Sequence, residues 1–81
     1  MMNLTKQAEM KKALRNVISS NDLTFDAYSY DVNEYDVNPN ISCRAHDEKS
    51  SYELICYAQE GCDIEMKHYT KDGELYNETS H

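Results

Sequence analysis

Ile41-Ser42-Cys43-Arg44-Ala45-His46, then Asp47-Glu48-Lys49-Ser50, then Ser51-Tyr52-Glu53-Leu54-Ile55-Cys56-Tyr57-Ala58-Gln59 is the stretch that decides the fold. In the first run Ile41, Cys43 and Ala45 fall on one side and Ser42, Arg44 and His46 on the other. In the last, Tyr52, Leu54, Cys56 and Ala58 alternate with Glu53, Ile55, Tyr57 and Gln59. A period of two marks strands, because successive side chains of extended backbone point to opposite faces, and the polar segment 47–50 is long enough to reverse the chain. The reading is an antiparallel hairpin with one apolar face.

The pattern continues downstream. Glu60-Gly61 supplies a turn, Cys62 to Thr70 reads as a further strand with Ile64 and Met66 inward, and Asp72-Gly73 is a two-residue hairpin signal returning the chain along Glu74 to Asn77, with Leu75 and Tyr76 on opposite faces. Upstream, Thr24 to Val32 alternates with both faces mixed, as at a sheet edge. A tandem repeat overlaps its end: Tyr30-Asp31-Val32-Asn33-Glu34 is followed by Tyr35-Asp36-Val37-Asn38-Pro39. Five is odd, so a flat strand would carry the two copies on opposite faces, and the chain has to bend, bulge or loop there.

A period of 3.6 occurs before residue 20. Met10, Leu14, Val17 and Ile18 form a stripe flanked by Ala8 and Ala13, with Thr5 or Asn3 available as N-cap, and Lys6, Lys11, Lys12 and Arg15 lie opposite. Ser19-Ser20-Asn21-Asp22 ends the helix. Burying that stripe contributes ~1.5–3 kcal/mol per side chain, and the sheet is its available partner. The expected fold is α+β: a single domain of residues 1–81, with one N-terminal amphipathic helix (about 5–19) packed on a four- to five-stranded antiparallel meander (about 24–77).

Length bounds function. Eighty-one residues bury only ~60–65% of the surface that the unfolded chain exposes, so the core is small and a deep enclosed active site is not expected. Cys43, Cys56 and Cys62 are an odd count without a C-x-x-C pair and imply no disulfide framework. Pairing Cys43, Cys56 or Cys62 with His46 or His68 as nucleophile and base conflicts with the inward phase of Cys43 and Cys56. Cys62 with His68 is too few ligands for a metal, and Asp31, Asn33 and Asp36 lack the glycine and downstream glutamate of a calcium loop. The expectation is a non-enzyme without cofactor or metal. Charges break up the first turns and no stretch approaches the ~20 apolar residues of a membrane span, so the chain reads as cytoplasmic, and the sequons at Asn3, Asn40 and Asn77 as chance.

Charge is the informative feature. Fourteen of the fifteen carboxylates follow residue 19, against Arg44, Lys49, Lys67 and Lys71, while the first nineteen residues carry +3. Segment 22–36 holds Asp22, Asp26, Asp31, Glu34 and Asp36 with no cation, interleaved with Tyr28, Tyr30 and Tyr35. Phosphate is repelled by such a surface, so direct nucleic-acid binding is not expected. A basic protein cleft is attracted by it, and tyrosine, apolar with a polar tip, suits the interface. Asp22, Asp26, Tyr28, Tyr30, Asp31, Glu34, Tyr35 and Asp36 are therefore the expected partner-binding residues; charge for solubility alone is the competing reading.

In its size, its acid-and-tyrosine run from Asp22 to Asp36, and its single helix on a compact meander, the chain resembles the small acidic inhibitors carried by phages and other mobile elements, anti-CRISPR proteins and nuclease-blocking DNA mimics among them. The resemblance is one of overall character, with no aligned motif from which to carry residues over. It implies a protein partner with a basic surface, a nuclease or CRISPR effector subunit, blocked by sterics and charge in the host cytoplasm without a cofactor, by a monomer or homodimer. The alternatives are an immunity protein or antitoxin against a nuclease toxin, and a structural module that self-associates or binds a host protein through its exposed first strand.

Overall fold

The computed structural model describes residues 2–59 and 63–69, and 75–80 as a strand. The expected turns at Glu60-Gly61 and Asp72-Gly73, the Cys62–His68 pair, and the side chains of Leu75 and Tyr76 lie outside the described residues.

Helix α1 spans Leu4–Ser20. Asn3 is the N-cap, its Oδ1 accepting from the Lys6 backbone N–H at 2.7 Å, which satisfies an amide that has no partner within the helix. At the other end the Leu23 N–H donates to Ile18 O at 3.0 Å and the Asp22 N–H to Ser19 O at 3.2 Å. This paired closure requires left-handed backbone between them, and Asp22 provides it with φ 55°. Asn21 adds its side-chain amide to Val17 O at 2.8 Å. The polar cluster expected to end the helix thus does so by a Schellman closure with Asp22 in the position glycine usually takes.

Six strands follow: β1 Thr24–Phe25, β2 Asp31–Asn33, β3 Asn40–His46, β4 Ser51–Tyr57, β5 Ile64–Tyr69 and β6 Leu75–Ser80. They fill five positions of one antiparallel sheet, because β1 and β2 both lie along β3, ahead of β4, β5 and β6 in order. The expected α+β architecture is the observed one. Register across the centre sets Cys43 opposite Leu54 and Leu54 opposite Met66, with Ile41, Cys56 and Ile64 forming the next row.

Those rows are the face that α1 covers. Met10, Leu14 and Ile18 are buried against Ile41, Cys43, Ala45, Leu54, Cys56 and Ile64, and Met2 closes the N-terminal end of the core. Val17 and Ala13 are half-buried at the margin of the stripe and Ala8 is exposed, so the helix rests on a narrower ridge than its apolar content suggests.

The first strand is where sequence and structure part. Thr24 to Val32 is not one strand but β1 and β2, separated by a turn in which the Ser29 N–H donates to Asp26 O at 3.2 Å and Tyr28 has φ 63°. Ser29 bridges the gap: its Oγ accepts from the Arg44 backbone N–H at 2.9 Å and reaches Arg44 O at 3.3 Å, while the Asp26 N–H also donates to Arg44 O. A side-chain hydroxyl thus does what a paired strand would do there. The first edge is short and interrupted, which disfavours the strand-to-strand association that a long exposed edge would invite.

Candidate interaction surface

The face of the sheet away from α1 follows from the same registers. Asp31 stands opposite Ser42, Ser42 opposite Ile55 and Ile55 opposite Glu65; Arg44, Glu53 and Lys67 form a second row; Asn33, Asn40 and Tyr57 a third. Residues 34–39 loop over the end of this face and make it concave. A hollow of about 500 Å³ is lined by Asp31, Asp36, Val37, Asn40, Glu53 and Tyr57, among others. It runs into a smaller one of about 250 Å³ through Asn38 and Tyr57, where Asp63 and Glu65 join the wall. The Tyr57 hydroxyl donates to Glu65 Oε2 at 3.0 Å. Five carboxylates therefore surround one tyrosine.

The loop is built to hold its shape. Asn40, only 7% exposed, donates from Nδ2 to Asn38 O at 2.8 Å and to Asp36 Oδ2 at 3.2 Å, and accepts from Asn33 Nδ2 at 2.8 Å. Gln59 Nε2 donates to Asn38 Oδ1 at 2.8 Å, and the Ala58 N–H to Pro39 O at 2.9 Å. Above this scaffold Tyr35 is 89% and Val37 98% exposed. The two copies of the tandem repeat have different fates: the first pairs as β2, and the second displays the same residue types to solvent.

The acidic run does not form a single patch. Asp31 and Asp36 line the hollow, and no described hydrogen bond or ion pair engages the Asp31 side chain. Asp22 caps the helix at the other end of the sheet, beside a separate hollow of about 760 Å³ with His46, Asp47 and Glu48 in its wall. Nearby, Asp26 Oδ1 pairs with His46 Nδ1. Glu34 turns toward the helix and accepts from Gln7 Nε2 at 3.3 Å. Tyr28 and Tyr35 project freely, Tyr28 at full exposure. Tyr30 instead packs half-buried on the core, its ring 5.0 Å from that of Phe25, and that burial raises its hydroxyl pKa despite a hydrogen bond from Arg15. Glu53, Tyr57, Asp63 and Glu65 replace it at the centre of the acidic face. Their alternation along β4 and β5 placed them on the exposed side; what the sequence could not show is that loop 34–39 folds toward them rather than away.

The helix cations lie elsewhere. Lys11 Nζ sits 5.2 Å from the Tyr30 ring centroid and the Arg15 guanidinium 4.5 Å from that of Phe25, cation–π contacts that clamp the β1–β2 segment to the helix. Lys11 and Arg15 are thus engaged across the layer interface rather than on a free polar face.

Nucleophilic chemistry finds little support in this geometry. Cys43 and Cys56 are buried, and burial pushes Cys43 up to about 11, so its thiolate is scarce at neutral pH. His46 lies on the opposite face from Cys43, and His68 stacks on Tyr52 with ring centroids 4.5 Å apart. Among the described residues no three His, Cys, Asp or Glu side chains converge as a metal-binding group, and no helix is long and apolar enough to cross a membrane.

The class that these features define is a small α+β protein, one helix on an antiparallel sheet, with an acidic open face. Comparison of the chain with protein-family models, with curated proteins and with solved structures finds no match in any of the three.

Proposed function

We propose that the concave open face docks into a basic cleft of another protein, one that ordinarily receives nucleic acid, and that the chain is a small acidic inhibitor of the anti-CRISPR type, blocking target DNA recognition by bulk and charge in the cytoplasm of the cell where it acts. The observation that carries this reading is the gathering of carboxylates at one end of the open face. Asp31, Asp36, Glu53, Asp63 and Glu65 lie around Tyr57, with Arg44 and Lys67 in the row of Glu53 at the margin of the cluster, while Lys11 and Arg15 are drawn to the helix side by aromatic rings. Acids on one strand face repeat every ~6.5–7 Å, close enough to occupy successive positions along an Arg- or Lys-lined groove. Tyr57 and the projecting Tyr35 supply apolar area among those charges, the combination found in interface cores. The role asks for no cofactor and no catalytic group.

The test is capture of the tagged chain's partners from a CRISPR-bearing bacterial lysate, washed at low and then high salt, beside an Asp31→Lys/Asp63→Lys variant. Both positions are exposed, so the thermal midpoint should hardly move, while net charge changes from −7 to −3. A nuclease or effector subunit retained by the wild type at low salt, released at high salt and not held by the variant supports the proposal. Equal retention by both proteins refutes it. A captured nuclease toxin in place of an effector would move the assignment to an immunity protein with the same surface.

A further inference from the structure

The geometry points to a second copy of this chain as a partner, through an exchange of strands in which the second unit of the tandem repeat takes the place of the first. In the monomer β3 receives Asp31, Val32 and Asn33 opposite Ser42, Ile41 and Asn40. Asp36, Val37 and Asn38 repeat those three residues in the same order, and both Asp36 and Val37 are exposed. They cannot fold back on their own β3, because only Pro39 separates Asn38 from Asn40 and the shortest common hairpin loop needs two residues. They are in register for the β3 of another copy. If loop 34–39 opens so that 36–42 runs as one strand, two such strands pair antiparallel about a two-fold axis at Pro39. Asp36 then faces Ser42, Val37 faces Ile41 and Asn38 faces Asn40 of the second copy, the three pairs that β2 makes at home.

Two details fit this register and no neighbouring one. A strand that pairs with its own copy joins residues an even number of positions apart, since only those share a face. Asn33 and Asn40 are seven apart and share a face only because the loop turns the chain, whereas Asn38 and Asn40 are two apart. Straightening the hairpin thus leaves Asp36 and Asn38 on the open face and Val37 on the helix side beside Ile41. The odd repeat length, which forbids a flat strand carrying both copies on one face, here makes the second copy fit. Proline at the axis is also tolerated. The Pro39 carbonyl accepts from the Ala58 N–H on the β4 side, so at the dimer edge Pro39 occupies a non-hydrogen-bonded position where no N–H is required. Asn38 Nδ2 of one copy can replace Asn33 Nδ2 as the donor to Asn40 Oδ1 of the other. The exchange trades the three intramolecular strand pairs for identical intermolecular ones and gives up the loop bonds of Asn40 to Asp36 and Asn38 and of Gln59 to Asn38, so it requires the loop to open, as happens on refolding at high concentration.

The experiment is refolding of the full chain from urea at high protein concentration, followed by size-exclusion chromatography with light scattering. The wild type is expected to give a discrete dimer beside the monomer. Val37→Asp is expected to lose the dimer with an unchanged monomer thermal midpoint, because Val37 is fully exposed in the monomer and takes the place of Val32, partly covered beside Ile41, only in the exchanged form. Pro39→Cys, oxidised after refolding, is expected to cross-link residue 39 to residue 39 in the dimer fraction, since non-hydrogen-bonded antiparallel pairs have Cα atoms ~4.5 Å apart, within disulfide reach. The wild type under the same oxidant is the control. A wild type that stays monomeric through refolding, a Val37→Asp chain that dimerises as the wild type does, or a dimer without the 39–39 cross-link would each overturn the exchange. None of these outcomes bears on whether the acidic face binds a basic cleft.

Discussion

Replacing Asn40 by Ala should loosen loop 34–39 while leaving the central sheet in place. Its side chain makes three hydrogen bonds: to Asn38 O, to Asp36 Oδ2 and from Asn33 Nδ2. A hydrogen bond is worth ~0.5–1.5 kcal/mol net, and one to a carboxylate more. The sum is not reached, because one side chain supports all three bonds and Asp36 and Asn38, being exposed, recover water as partner. The expected loss is ~1.5–3 kcal/mol, out of the ~4–12 kcal/mol that a domain of this length has at its disposal. Urea denaturation followed by circular dichroism should show the midpoint falling by ~1.5–3 M, taking a slope of about 1 kcal/mol/M for a small domain. Amide exchange should accelerate in 34–38 and stay slow in β4. Asn40→Asp sharpens the test: it sets a second carboxylate beside Asp36, so at neutral pH it should cost at least as much as Ala and recover partly in acid, whereas Asn40→Ala should not. A loss under ~0.5 kcal/mol, or exchange that quickens equally across the sheet, would refute the claim that this residue holds the loop.

Leu14→Ala should cost ~2–5 kcal/mol by thermal or urea denaturation, because Leu14 is wholly buried between α1 and the sheet; a variant as stable as the wild type would contradict the packing. Asp22→Gly should stabilise the chain by ~0.5–1 kcal/mol in the same assay, since glycine occupies left-handed backbone without the steric cost that Asp22 bears at φ 55°, and a loss would mean that its carboxylate is needed there. Asp47 is held below the ordinary carboxylate range by the Lys49 backbone N–H first, then by the Ser50 N–H, the Tyr52 hydroxyl and the charge of His68. A depressed folded pKa favours folding above the unfolded value near ~3.9 and loses that contribution as pH falls through the folded one. The difference in urea midpoint between wild type and Asp47→Asn should therefore be constant at neutral pH and shrink below about pH 4. A gap that persists undiminished to the lowest pH at which both proteins fold would contradict this.

The helix and the β3–β4 hairpin were legible because each shows its period: Met10, Leu14 and Ile18 recur at the helical repeat, and Ile41, Cys43 and Ala45, then Leu54 and Cys56, recur at every second position. Thr24 to Val32 misled because its alternation is real while its pairing is not. Ser29 intervenes with a hydroxyl, and Tyr28 takes a left-handed turn that bulky residues rarely adopt, so nothing in the composition announces the break. Tyr30 is less exposed than its acidic neighbours suggest, for a related reason. A tyrosine among acids looks exposed, but Lys11, Arg15 and Phe25, distant in sequence, fold around it. The acids now found around Tyr57 were visible as exposed positions on alternating strands; their gathering into one concave surface depends on where loop 34–39 turns, and that is fixed by Asn40.

Two of the hydrogen-bonding asparagines are also acceptor sites for N-linked carbohydrate in the sequence, Asn3-Leu4-Thr5 and Asn40-Ile41-Ser42. A sugar attached to the amide nitrogen of Asn40 would have to occupy the place of the Asp36 and Asn38 oxygens against which that nitrogen is packed, and one at Asn3 would crowd the first turn of the helix. The oligosaccharide is transferred to a chain that is still emerging from the ribosome, before either asparagine is protected. A sugar added on a eukaryotic secretory route would therefore keep loop 34–39 from closing over the open face, so a bacterial host is the suitable source of this protein.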